Sequence, residues 1–227
     1  MSKLSVTEVL EVCRRLEGRA RGAGRRVAGA LTERFRHRLP GSGFVDVYEL
    51  QLALAGELAA MRARFAAWED RHESEVERGR RLRRRRDRLA AEVRGTLLGL
   101  KQVLTGAFDG ATARRILRPV RRLADAPPQV LRQAERLYAT LADPQLDLPV
   151  PEPGVEVDPA LAARSFEQPM TGLGETLEAL AECQGAARHA GVRRDEALER
   201  LAVFAEKVAR LYKALAELAG HERGGAE

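Results

Sequence analysis

Apolar side chains recur along this chain at spacings of three and four, the repeat of an α-helix that buries one face. Over residues 5–39 they fall at Val6, Val9, Leu10, Cys13, Leu16, Ala20, Val27, Leu31 and Phe35, which predicts a first helix. Its centre is weak. Gly18, Gly22, Gly24 and Gly29 each cost a helix about 1 kcal/mol relative to alanine, so a kink or a close helix approach is expected there. Pro40, Gly41, Ser42 and Gly43 end the helix, because proline cannot continue the hydrogen-bond ladder.

Asp46 is placed to cap a second helix, and no proline follows until Pro119. Leu54, Leu58, Met61, Phe65 and Trp68, then Leu82, Leu89, Val93, Leu97, Leu100 and Val103, keep the three-four alternation. A helix over 46–107 would span roughly 90 Å at about 1.5 Å per residue, the length of a coiled-coil arm. Asp109 and Gly110 close it. Two short helices are expected over 113–123 and 128–141, separated by Ala126, Pro127 and Pro128. Pro144, Pro149, Pro151, Pro153 and Gly154 predict an extended connection. A second arm starts near Pro159, is expected to break at Pro169, and restarts with Thr171 as N-cap. It carries Leu173, Leu177, Leu180, Leu198, Leu201, Phe204, Val208, Leu211, Leu215 and Leu218 before Gly220.

The expected fold is all-α: an elongated helical bundle built on a long antiparallel coiled-coil hairpin with a small helical and proline-rich tip. Residues 1–39 form an N-terminal helix packing on the base, 46–107 the first arm, 108–165 the tip, 166–220 the second arm and 221–227 a tail. Pairing residues whose numbers sum to about 273 sets Leu54 beside Leu218, Phe65 beside Val208 and Leu100 beside Leu173. Shifts of seven preserve the same faces.

Composition agrees with helices: 44% of residues are apolar, only 4% are aromatic, and alanine, leucine, glutamate and arginine dominate. The net charge of +6 conceals an asymmetry. Residues 1–130 carry 28 basic and 16 acidic side chains, and residues 131–227 carry 11 and 17. A basic N-terminal half is thus set against an acidic C-terminal half. Of the basic residues only Lys3, Lys101, Lys207 and Lys213 are lysine, a skew that GC-rich, bacterial-like coding accounts for. Cys13 and Cys183 are distant thiols outside any CxxC motif, and Ser5, Thr7, Glu8 and Glu11 interrupt the apolar residues that a leader peptide would need. A reducing cytoplasm is the expected compartment. No apolar run approaches the ~20 residues that cross a bilayer.

The stretch 69–88 stands out. In its second half Arg78, Arg80, Arg81, Arg83, Arg84, Arg85, Arg86 and Arg88 face one acid, Asp87. Pairs such as Glu75 with Arg78 and Glu77 with Arg81 are worth a few tenths of a kcal/mol each, whereas Arg80/Arg84 and Arg81/Arg85 repel at i, i+4. In the expected register the opposite segment, 185–193, holds no acid. These eight arginines are the candidate anion- or partner-binding residues, set against the simpler possibility of a solvated face. Arginines 14, 15, 19, 21, 25 and 26 among the apolar residues of the first helix could meet a membrane surface, although the same apolar face is needed for packing. Nucleic acid fits less well, since no aromatic residue interleaves with the arginines to stack on bases.

Glu69 and His72 share the Glu-x-x-His spacing of dimetal carboxylate bundles, but no second copy occurs. A structural role is expected for the histidines, and buried, inert thiols for Cys13 and Cys183. No catalytic, cofactor-binding or metal-ligating set is assigned. The expectation is a non-enzymatic helical scaffold or adaptor acting through protein partners, and as a homo-oligomer because two-helix arms leave an apolar seam uncovered. Membrane-surface binding or remodelling through the arginine-rich faces is the alternative, and sequence-blind nucleic-acid association the third.

Overall fold

The computed structural model of the chain describes residues 5–35, 46–143, 146 and 158–220. Every regular element among them is helical: α1 (Val6–Gly22), α2 (Gly24–Phe35), α3 (Val47–Ala107), α4 (Gly110–Ile116), a 3-10 turn (Arg118–Val120), α5 (Pro127–Leu141) and α6 (Pro159–Leu218). The expected proline-rich connection and C-terminal tail, His37 and the turn after residue 39 lie almost entirely outside the described residues.

Local chemistry sets the boundaries. Ser5 and Glu8 form a reciprocal capping box at the start of α1. Asp46 accepts from the amides of Tyr48 and Glu49 at 2.8 and 3.4 Å and caps α3. Asp109 accepts from the amides of Ala111 and Thr112 and caps α4. The Thr112 side chain first, and then these two amides, hold the Asp109 carboxyl below its ordinary value. The predicted first helix is divided at Ala23 into α1 and α2. Gly24 lies against α3 there, because a β-carbon would sit 3.4 Å from the Tyr48 ring and inside contact distance of the Gln51 side chain. Only glycine accepts that approach without displacing Gln51.

The expected break at Pro169 is corrected: α6 runs through it, with Pro169 inside the helix. Proline removes one backbone hydrogen bond and crowds the carbonyl four residues earlier. Phe166 and Leu173 on either side are fully buried, and that packing keeps the helix continuous.

The chain divides into two compact units, to each of which α3 and α6 supply a segment. Unit 1 comprises residues 1–73 and 187–227. In it α1 lays Val9, Cys13, Leu16 and Ala20 against Ala55 and Leu58 of α3 and Leu201, Ala205, Val208 and Tyr212 of α6. The Glu17 carboxylate of α1 meets Arg62 of α3, Nε to Oε1 at 3.0 Å and Nη2 to Oε2 at 3.2 Å, the second better aligned as a hydrogen bond. Tyr212 donates its hydroxyl to the Gln51 carbonyl at 2.8 Å, and burial pushes that phenol above its usual pKa.

Unit 2 comprises residues 74–186. Its core joins Val93, Leu97, Leu100 and Leu104 of α3, Ile116 of α4, Val130 and Leu137 of α5, and Phe166 and Leu173 of α6. Lys101 donates to the Arg121 carbonyl and Arg94 pairs with Asp125, which ties α3 to the connection after α4.

The cross-helix contacts correct the register. In unit 1 Gln51 meets Tyr212 and His72 meets Ala187; in unit 2 Glu75 meets Cys183, and Leu89 comes within 3.7 Å of where a side chain on Gly172 would begin. In each unit the α3 and α6 segments run antiparallel, with numbers summing to about 258–263 rather than 273. The displacement is close to two heptads, which returns the same apolar faces to each other.

Candidate partner-binding surface

The eight arginines of 78–88 all lie in the unit 2 segment of α3, and seven are exposed. Arg78 reaches Glu75 at 3.6 Å and Arg80 reaches Glu77 at 3.2 Å. Arg86, half-buried, turns onto its neighbour Asp87 at 2.6 and 2.8 Å. Arg83 folds back over Gly79, towards the place where Cys183 of α6 packs against the α3 backbone. Arg81, Arg83, Arg84, Arg85 and Arg88 have no ion-pair partner among the described residues. Four of them, Arg81, Arg84, Arg85 and Arg88, are related by three and four residues and so share one face of α3.

The corrected register changes their surroundings. Contacts summing to about 260 bring residues 172–182 level with 78–88, and that segment carries Glu175, Glu178 and Glu182, all exposed. The expectation of an acid-free opposite segment is overturned, because it rested on the displaced register. Among the described residues none of the three glutamates comes within 4.0 Å of an arginine, but at the level of the helix segments eight arginines and one aspartate stand against three glutamates. Arg85 lines an open groove of about 490 Å³ with Glu92, Glu175, Pro169 and Gly172. Sequence reasoning missed these glutamates because only the true register brings them level with the arginines.

Like charges four residues apart on this face oppose folding. Arg84→Glu would place a carboxylate four residues before Arg88 and four after Arg80. It is expected to raise stability by about 0.5–1 kcal/mol at low salt, an advantage that shrinks as screening shortens the reach of charge. Thermal melts at low and at about 1 M salt check this; unchanged low-salt melting would contradict it.

The remaining sequence candidates have structural surroundings. His72 places Nδ1 3.0 Å from the Ala187 carbonyl, so that nitrogen carries the proton, and its ring packs on Gly191. His189 stands edge-on to Trp68 with ring centroids 5.9 Å apart. Among the described residues no three His, Cys, Asp or Glu side chains gather as metal ligands, and no helix is long and apolar enough to cross a membrane. Cys13 and Cys183 are buried. Burial pushes both thiols up, and at Cys183 the Glu75 side chain adds to it. Thiolate, the reactive form, is therefore scarce at both. In the native protein both are expected to react with a disulfide reagent at least about tenfold more slowly than glutathione, and both to react rapidly in guanidinium. Native labelling as fast as that of glutathione would refute this.

Comparison of the chain with protein-family models, with curated proteins and with solved structures finds no match to any of them.

Proposed function

We propose that this protein is a non-enzymatic helical scaffold, built on a long antiparallel hairpin of α3 and α6, that binds a partner protein through the arginine face of α3. The observation that carries the proposal is the quartet Arg81, Arg84, Arg85 and Arg88. These four exposed guanidinium groups lie on one face of a continuous helix, with no acidic partner among the described residues. Holding four like charges together costs stability, and an acidic partner converts that cost into binding, since each guanidinium offers planar, bidentate donors to a carboxylate.

A protein suits the surface better than a bilayer or a duplex. Glu175, Glu178 and Glu182 of α6 lie level with the arginines, so the unit presents both signs of charge. A uniformly anionic sheet or strand would be attracted by one helix and repelled by the other, whereas a partner protein can match both.

The test uses three probes at low and moderate salt: a glutamate-rich helical peptide, vesicles of phosphatidylserine in phosphatidylcholine, and random-sequence duplex DNA. The wild-type chain is expected to prefer the peptide. Reversing all four arginines to glutamate should abolish that binding, at least about 100-fold for four lost charge pairs, with helicity unchanged by circular dichroism. Stronger binding to vesicles or DNA than to the peptide, or equal peptide binding by the reversed variant, would reject the proposal.

A further inference from the structure

We infer that the side of unit 1 turned away from α1 is a self-association surface, on which a second copy of this chain docks to form an antiparallel four-helix interface of two α3 and two α6 segments. The inference is independent of the arginine face, which lies in unit 2.

The surface is drawn by a seven-residue repeat on both helices. On α3 it is Leu54, Met61 and Trp68; on α6 it is Phe204, Leu211 and Leu218. Leu54 and Met61 each immediately precede an α1-facing residue, Ala55 and Arg62, and Phe204 and Leu211 precede Ala205 and Tyr212 in the same way. One residue is about 100° of helix, so the repeat forms a second apolar stripe beside the one α1 covers. α1 buries the first stripe almost completely. The second stays open: Leu211 is 37% and Leu218 49% exposed, and Met61, Trp68 and Phe204 remain half-buried. Two open grooves of about 310 and 650 Å³ line this side and share Met61, Glu196 and Arg200. Apolar positions repeating by seven beside open holes are what knobs-into-holes packing requires.

Charge along the rims selects a second copy as the occupant. In unit 1 Gln51 is level with Tyr212, and His72 with Gly191. A two-fold axis parallel to the helices keeps every residue at its own level while setting α3 of one copy against α6 of the other, antiparallel. Glu57 on the α3 rim then comes level with Lys207 on the α6 rim, which has no ion pair among the described residues. Arg64, whose one ion pair among the described residues is the 3.8 Å contact to Glu57, comes level with Glu199 and with Glu196, which in its own chain also meets Arg193 at 3.1 Å and Arg200 at 3.8 Å. Both pairs match in sign, and symmetry makes each occur twice. The α6 edge from Arg193 to Leu218 is about 38 Å long, and two helices roughly 10 Å wide give a face of about 750 Å² per copy, close to what a stable dimer buries.

Sedimentation of the full chain tests this. The wild-type protein is expected at twice its 25.0 kDa chain mass at micromolar concentration. Leu211→Asp should raise the dissociation constant at least about 100-fold, because the charge would be buried in an apolar seam. Glu57→Lys and Lys207→Glu should each weaken association about tenfold and together restore it; these rim changes lie outside the core, so the rescue reads the pairing and not folding. A wild-type monomer at about 100 µM, a dimer indifferent to Leu211→Asp, or absence of rescue by the double reversal would each overturn the inference. Reversal of the unit 2 arginine quartet should leave the dimer intact, which separates this outcome from the partner-binding test.

Discussion

Phe166→Ala is expected to cost unit 2 about 3–5 kcal/mol, the range for deleting a fully enclosed aromatic ring whose site does not collapse. The ring has no solvent exposure and meets Tyr138 edge-on, with centroids 6.0 Å apart. It lies in the core shared by α3, α4, α5 and α6, so the cavity would open inside the main apolar cluster of unit 2. Domains of this kind are stable by only about 5–15 kcal/mol in total, so the loss is a large fraction of that. Urea unfolding followed by circular dichroism measures it, with Phe166→Leu, which keeps most of the volume, losing under about 1.5 kcal/mol. A loss below about 1 kcal/mol for alanine would mean that the site relaxes and that Phe166 does not organise the core.

The second large effect concerns the one ion pair that joins α1 to α3 among the described residues. Glu17 retains 8% exposure, and Arg62 supplies both of its contacts. Arg62→Met would leave a carboxylate in an apolar setting without its cation. A fully enclosed pair broken in this way loses about 3–5 kcal/mol; Arg62 keeps 27% side-chain exposure, so the expected loss is about 1–3 kcal/mol. Glu17→Gln combined with Arg62→Met removes the stranded charge and should recover much of that loss. Equal stability of the single and double variants would show that α1 is held by its apolar contacts alone.

Both predictions rest on features with different visibility in the amino-acid pattern. The bounds of α3 were legible because Asp46 and Asp109 cap the helices they begin and nothing between breaks the helix. Most of the buried positions were legible for the same reason, since a three-four repeat fixes a face. The register was not. A heptad pattern is nearly unchanged by a shift of seven or fourteen residues, so pairing is decided by particular fits: the Tyr212 hydroxyl on the Gln51 carbonyl, Cys183 against Gly79. Pro169 misled for another reason, because the local cost of proline was smaller than the gain from burying Phe166 and Leu173. The arginine run itself was plain, and Glu175, Glu178 and Glu182 became relevant only once the helices were aligned. Glu17 and Arg62, 45 residues apart, left no periodic signal.

Trp68 is the single tryptophan of the chain. It is half-buried in the unit 1 seam, edge-on to His189 and beneath the Arg71 guanidinium 5.5 Å from its ring. Nature has in effect installed one optical label at that place and none in unit 2. Excited at the red edge of its absorption, beyond that of Tyr48, Tyr138 and Tyr212, its emission wavelength follows the wetness of that seam, so fluorescence at increasing dilution reads the exposure of one face without any attached dye.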